Sequence, residues 1–192
     1  MTEPKIRREL RPGDLGEIVR HHGRMYLAQY GLDSSFEAKV AASVAAAGKR
    51  GFPGDREGIW IVERDGEHAG SIGLTDEGDG MAMLRWVVLD PELRGRGLGR
   101  RLVEEVVAFA ESAGFERIAL ETFSDLTTAA RIYRSVGFCV EWEQRGPRWG
   151  RDDVTYQRYE LELPAAPSFQ ARAQSRSSRS AGLSERPFSV SA

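Results

Sequence analysis

Arginine and glycine interleave through Arg94-Gly95-Arg96-Gly97-Leu98-Gly99-Arg100-Arg101, and this stretch carries the most specific chemistry in the chain. An apolar run over residues 84–89 and a turn at Asp90-Pro91 precede it. Residues 102–110 follow, with apolar side chains at helical spacing. A strand, a glycine-rich turn and a helix start, in that order, leave several backbone N–H groups without partners. Glycines remove the Cβ atoms that would hold a ligand off, and the helix dipole favours negative charge at that end. The chemistry implied is capture of a diphosphate. A Walker A loop would end in Gly-Lys-Ser/Thr, but two arginines follow Gly99. A dinucleotide fingerprint would place two residues between its second and third glycines, and here Leu98 stands alone between Gly97 and Gly99. The spacing that remains is Arg94-x-x-Gly97-x-Gly99, for which the competing reading is a turn that merely caps a surface helix.

Elements that would position this loop are legible on both sides of it. A short strand is expected over residues 6–11. Pro12-Gly13-Asp14 then opens a helix, with Asp14 as its N-cap and a stop at Tyr30-Gly31. A second helix is expected from Ser34 or Ser35 to Ala47, with Phe36, Val40 and Val44 four apart, before a loop over residues 48–58. Strands follow at residues 59–63 and 68–75, joined by the hairpin turn Arg64-Asp65-Gly66-Glu67. A turn over residues 76–80 leads to a long strand at 81–89, and a helix from Gly99 to about Ala113 stops at Gly114. A strand at 117–121, a helix at 127–136 stopped by Gly137, and strands at 138–144 and 154–163 complete the series.

Size and composition narrow the class. The chain has 192 residues and 21.3 kDa, with 41% hydrophobic and 29% charged residues, which suits one globular domain with an extension. Residues 1–163 are expected to form that domain. Residues 164–192, rich in Ser, Arg, Ala and Pro, are expected to be a disordered tail. A net charge of -2 gives no general attraction to nucleic acid or membrane. The single cysteine, Cys139, excludes an intrachain disulfide and a cysteine-based zinc site. No apolar segment approaches the roughly 20 residues that cross a bilayer, and the N-terminus carries no signal-peptide core, so a cytoplasmic protein is expected.

The Arg-x-x-Gly-x-Gly spacing resembles the coenzyme A loop of the GCN5-related N-acetyltransferase (GNAT) superfamily. Two further stretches fit. Leu84-Arg85-x-x-x-Leu89-Asp90-Pro91 stands where that family has its central strand. Ala129-Ala130-Arg131-Ile132-Tyr133-Arg134-Ser135-Val136-Gly137-Phe138 is similar to its Ala-x-x-Leu-Tyr-x-x-x-Gly-Phe segment. The resemblance covers residues 6–163. His22-Gly23-x-x-Tyr26 and Tyr30-Gly31 are also similar to the acetyltransferase half of fusions that carry a MarR-type winged-helix domain. No such DNA-binding segment is read here, so no transcriptional role is carried over.

The resemblance implies an α/β (α+β) fold: a mixed central sheet of about seven strands flanked by helices. It also implies acetyl-CoA as co-substrate with no metal, and an amine of a small molecule or protein as acceptor, with neither nucleic acid nor membrane as partner. Val87, Val88 and Leu89 would run along the pantetheine arm, with an N–H near Val87 or Val88 facing the thioester carbonyl. Amides of Gly95, Arg96, Gly97, Leu98, Gly99 and Arg100 would hold the diphosphate, with charge from Arg94, Arg96 and Arg100. Tyr133 would sit beside the coenzyme sulfur as general acid; its alternative is a tyrosine packed on the sheet. Glu121, at a strand end, is a candidate base acting through water, or a solvated carboxylate. His22 is an alternative base, or a histidine bound in the core. Trp86, Trp142 and Trp149 would line an acceptor pocket, or simply pack.

One position departs from the family pattern. Leu126 stands where the family often has an asparagine contacting the coenzyme, and Ser124 or Thr127 would have to substitute. The expected activity is N-acetyl transfer by direct attack in a ternary complex, by a monomer or homodimer. The alternative is a coenzyme A-binding sensor or partner protein that transfers nothing.

Overall fold

Three Xaa-Gly pairs set the hairpins of this chain. Asp65-Gly66, Asp79-Gly80 and Trp149-Gly150 all have positive φ at both residues (53° and 86°, 48° and 72°, 53° and 78°), the type I′ geometry that matches strand twist. In the computed structural model, which describes residues 3–164, they join a single seven-stranded sheet. In chain order the elements are β1 (Lys5–Arg7), α1 (Asp14–Tyr30), α2 (Ser34–Lys49), β2 (Gly58–Arg64), β3 (Glu67–Gly78) and β4 (Met81–Leu89). A 3-10 turn at Pro91–Leu93 leads into α3 (Leu98–Ser112), β5 (Arg117–Phe123), α4 (Thr127–Val136), β6 (Cys139–Arg148) and β7 (Arg151–Glu162). The strand order is β1-β2-β3-β4-β5-β7-β6, and every neighbouring pair is antiparallel except β4 with β5. This is the expected mixed sheet of seven strands.

Alternation along the strands divides the interior in two. Trp60 and Val62 of β2 join Leu102, Val106 and Tyr133 on the α3/α4 face. Ile59 and Ile61 join Ile18, Phe36, Val40 and Val44 on the α1/α2 face. Period-two burial on both faces of a central strand produces this layering.

Several boundaries differ from expectation. The first strand is three residues long, and Gly13, not Asp14, occupies the cap of α1 with φ of 101°. Asp14 instead receives two hydrogen bonds from the buried Arg7 guanidinium, at 2.8 and 2.9 Å, and Arg7 also binds Glu63 at 2.9 Å. Helix α2 runs past the expected Ala47 to Lys49, and Asp33 caps its start by accepting from the Ser35 N–H at 2.9 Å. Strand β3 runs on to Gly78, so Asp76 is a strand residue. The last two strands extend past the expected 138–144 and 154–163: β6 runs to Arg148 and β7 starts at Arg151, joined by the tight turn at Trp149-Gly150. From residue 165 onward the expected tail lies outside the described residues.

Candidate active site

The sheet opens where its one parallel pair separates. β4 and β5 are paired only from Met81 with Arg117 to Leu84 with Leu120. Beyond that point β4 stays bonded to β3 as far as Leu89, and β5 stays bonded to β7 as far as Phe123. A bulge begins the divergence: Ser71 opposes Val88 and Gly73 opposes Arg85, so Ile72 faces two residues, Trp86 and Val87. Trp86 takes φ of 53°, rare for a bulky side chain. Two hydrogen bonds hold it there. The Ser71 hydroxyl donates to the Trp86 carbonyl at 2.8 Å, and the Trp86 indole N–H donates to Ser43 Oγ at 2.8 Å. The bulge also changes the parity of the strand: Ala82 and Leu84 before it, and Val87 and Leu89 after it, pack on the same α3/α4 core.

A cavity of about 530 Å³ passes through this opening and joins the two faces of the sheet. At one end lies the glycine loop. Gly95 and Gly97 have φ of 75° and 81°, a Cβ on either would meet nothing within 4 Å, and no side chain caps α3. Unpartnered N–H groups at a helix start, with open space beside them, form a cradle that fits a diphosphate. Gly99 lies inside the first turn of α3, where an added Cβ would sit 3.4 Å from Ile132 of α4.

The expected coenzyme residues fall into two groups. Val87, Val88, Leu89, Arg94, Gly95, Gly97, Gly99, Arg100 and Tyr133 line the cavity; Arg96 and Leu98 do not. Arg96 borders a separate surface hollow with Arg64 and Arg101, and Leu98 packs on the core. Arg94 points back to α1, donating to the Leu89 carbonyl and Gln29 Oε1, each at 2.9 Å. Arg100 is paired with Glu104 at 2.7 Å. At the start of α4, Leu126 offers no capping side chain, while Thr127 and Thr128 reach the cavity wall. Ser124 instead bonds its neighbour Asp125 at 3.3 Å.

Tyr133 is buried against Phe138 and Tyr159, with ring centroids 6.0 and 6.1 Å away. None of the side-chain hydrogen bonds among the described residues uses its hydroxyl. Burial raises its pKa above the ordinary phenol value, so it is protonated at neutral pH.

Glu121 lies at the opposite end of the cavity and is not alone. Lys39 of α2 donates to its Oε2 at 3.2 Å, and the Tyr156 hydroxyl donates to the same oxygen. Burial would raise the Glu121 pKa, but the Tyr156 hydrogen bond and the Lys39 charge outweigh it and hold the carboxyl below its usual range. Lys39 and Tyr156 carry no motif in the sequence: Lys39 stands beside the Phe36/Val40 stripe of α2, and Tyr156 reaches the site only because β7 pairs with β5, opposite Phe123.

The histidines separate cleanly. His22 lines the cavity, donates its Nδ1–H to the Ile18 carbonyl at 2.8 Å, and is pushed down by burial to about 4. It is therefore neutral and weakly basic, as a core histidine would be. His21 lies outside the cavity and contacts Asp90 at 3.0 Å and His68 at 3.1 Å. Trp86 and Trp149 line the cavity, whereas Trp142 is 38% exposed on β6 and packs on Tyr156. Trp149 is wedged against Phe36, Phe123 and Tyr156, and its carbonyl accepts from the Asp33 N–H at 2.9 Å. The last hairpin is thereby tied to the junction between α1 and α2. Among the described residues no group of three His, Cys, Asp or Glu side chains could hold a metal, and no helix is long and apolar enough to cross a membrane.

Comparison with known proteins identifies the arrangement. An uncharacterised N-acetyltransferase of Schizosaccharomyces pombe is 32% identical over 117 residues, 59% of this chain and 69% of that protein. The uncharacterised N-acetyltransferase YjgM of Escherichia coli is 30% identical over 118 residues, 60% of this chain and 71% of that one. In fold the chain is similar to YncA of Salmonella typhimurium, described as a putative acetyltransferase with its cofactor acetyl-CoA. That likeness has a TM-score of 0.62 and 20% identity, covering 88% of this chain and 99% of the other. The acetyltransferase (GNAT) family model matches residues 20–138, which run from α1 through the opened strands and the glycine loop to the end of α4. A match over that span, with relatives named for the same transfer, places this chain in the GNAT family of acetyltransferases.

Proposed function

We propose that the protein transfers an acetyl group from acetyl-CoA to a primary amine, by direct attack with both substrates bound. The observation that carries this reading is the continuity of one cavity from the glycine cradle, past Tyr133, to Glu121 on the other face of the sheet. Donor and acceptor can then meet between β4 and β5 without either crossing the sheet.

Acetyl-CoA supplies an activated acyl group: as the amine nitrogen bonds the acyl carbon, the carbon–sulfur bond breaks, and the nitrogen's proton ends on sulfur. In this reading the amides at Gly95, Gly97 and the start of α3 hold the diphosphate, and Arg100 adds charge beside them. Strand residues Val87–Leu89 flank the pantetheine arm, and an N–H near Val87 or Val88 stabilises negative charge on the carbonyl oxygen; such a donor contributes about 3 kcal/mol in other acyl-transfer sites. Tyr133 donates a hydrogen bond to the departing sulfur. A phenol raised above its ordinary pKa of 10.0 stabilises a thiolate better than it surrenders a proton to it. Glu121, anionic at neutral pH, accepts a hydrogen bond from the attacking amine and, through water, relays the proton that the nitrogen sheds toward the departing sulfur.

Release of free thiol from acetyl-CoA, measured against a panel of amines, tests the proposal. Amine-dependent release is the expected result. Binding of acetyl-CoA with no release for any amine would favour the sensor alternative.

A further inference from the structure

Charge is distributed unevenly around the acceptor end of the cavity. Lys39 and Arg85 line its wall on the α1/α2 face, and the Arg148 guanidinium lies 4.6 Å from the centre of the Tyr156 ring. Their acidic counterparts are Glu121, 3.2 Å from Lys39, and Glu77, 3.0 Å from Arg85. Arg148 is bonded only to the neutral Gln144 among the described side chains, at 3.0 Å. Asp125, also on the wall, is neutralised by Arg151 at 2.7 Å. On the wall itself Lys39 and Arg85 therefore face Glu121, with Asp125 neutralised and with Arg148 and Glu77 outside the lining, and this excess lies beyond the opened strands from the cationic glycine loop that serves the donor.

The two half-exposed groups are arranged for exchange. Lys39 and Glu121 have side chains 47% and 33% exposed, and both line the cavity. Arg85 uses Nε for Thr75 at 3.0 Å and Nη2 for Glu77, leaving Nη1 without a partner among the described residues. One carboxylate flanked by an excess of cations is complementary to a zwitterion: an amine seated toward Glu121 and an anionic group toward Lys39 and Arg85. Phe36, Trp149 and Tyr156 supply an aromatic wall beside them.

We infer that, within the acetyltransferase reading, the acceptor is a primary amine that also carries a carboxylate, as a free α-amino acid does, and that Lys39 and Arg85 select it. Arg85 is the specificity-determining residue, because its free nitrogen is not needed to hold its own strand. Lys39 moves from Glu121 to the incoming carboxylate and frees Glu121 for the amine.

The test compares apolar and aromatic amino acids with their own carboxamides as acceptors in the thiol-release assay. The carboxamides have the less basic amine, so a larger share is already the neutral nucleophile. A preference for the acid must therefore come from recognition of the carboxylate. The acid is expected to have at least tenfold higher kcat/KM than its amide. In Arg85→Met that ratio should fall toward one, in Arg85→Glu it should invert, and in Arg85→Lys much of it should return. Amides or simple alkylamines that react as fast as the acids would overturn the inference and leave the acetyltransferase reading standing. No thiol release with any amine would overturn both.

Discussion

Gly73 lies directly beneath the ring of Trp86: a Cβ on Gly73 would sit 2.7 Å from Cε3 of the indole, closer than packed atoms allow. The strand that opens the sheet is shaped partly by its neighbour's lack of a side chain. Ile59 Cδ1 lies 3.4 Å from the same point, so a methyl there must push the ring toward the cavity that it lines. Gly73→Ala should cost about 1–3 kcal/mol of stability, as over-packing of an interior does. It should also weaken acetyl-CoA binding, because displacing Trp86 moves Val87 and Val88. Thermal unfolding and coenzyme titration check both effects, and an unperturbed melting temperature would show that the ring does not brace the bulge.

At the glycine loop the constraint is the backbone itself. Gly97 has φ of 81°, where a side chain costs about 1–2 kcal/mol. Gly97→Ala should weaken acetyl-CoA binding several-fold, and Gly97→Trp should abolish it by filling the space in front of the α3 amides. Equilibrium binding decides the point. Normal affinity in the tryptophan variant would remove the loop from the coenzyme site.

How much of this was legible in the sequence depends on how local each determinant is. Gly95 to Gly99, the Tyr133 helix and the two Asp-Gly turns are short-range patterns, and all three lie where the residues predict. Asp14 departs from the expected N-cap role because a helix-start aspartate has two uses. Here the buried Arg7, seven residues earlier, takes the carboxylate that would otherwise cap α1. The acceptor end is the least local part. Glu121 stands at a strand end that the sequence marks, but Lys39 and Tyr156 come to it from 82 and 35 residues away, through packing of α2 and pairing of β7 that no local period encodes. Trp149 in a type I′ turn is likewise invisible locally, since contacts with Phe36, Phe123 and Tyr156 stabilise a conformation its own residue type disfavours.

Removing the Tyr133 hydroxyl tests the donor side of the chemistry. The ring packs between Phe138 and Tyr159 and the hydroxyl bonds no described side chain, so Tyr133→Phe should leave stability and coenzyme affinity close to unchanged. Turnover should fall by roughly 10²-fold, the scale of losing one hydrogen-bond donor to charge that develops in the transition state. Unaltered kcat would return Tyr133 to a packing role.

The pH dependence separates the protein's carboxylate from the acceptor's amine. Tyr156 and Lys39 hold the Glu121 pKa below the ordinary 4.5 of glutamate, so it is ionised throughout the neutral range and loses its charge only in more acidic solution. The rise of kcat/KM between pH 6 and 9, about where α-amines titrate, should therefore belong to the acceptor. Acceptors whose amines differ in basicity should move that limb by the difference in their own pKa values. A limb fixed near neutrality for every acceptor would assign it to a protein group other than Glu121.

Arg7 ties three elements together: β1 carries it, Asp14 at the start of α1 takes two of its nitrogens, and Glu63 of β2 takes a third. Its side chain is 8% exposed and that of Asp14 11%, so little water is available to replace a lost partner. Burial would raise the Asp14 pKa, but the Arg7 hydrogen bonds, the Arg11 N–H and the Arg7 charge together depress it. A depressed carboxylate contributes stability above its unfolded pKa, and that contribution fades as pH falls from about 3.8 through the lower folded value. Arg7→Met should remove roughly 3 kcal/mol at neutral pH, because Asp14 is left buried without its cation, whereas Glu63 keeps Arg11 at 3.6 Å. It should also flatten the acid limb of the stability curve, since Asp14 would then titrate in the folded protein nearer to where it does in the unfolded chain. Denaturant unfolding from pH 7 down to pH 3 measures both. A variant that loses stability by the same amount at each pH would mean that Arg7 acts through packing of its aliphatic stem and not through Asp14.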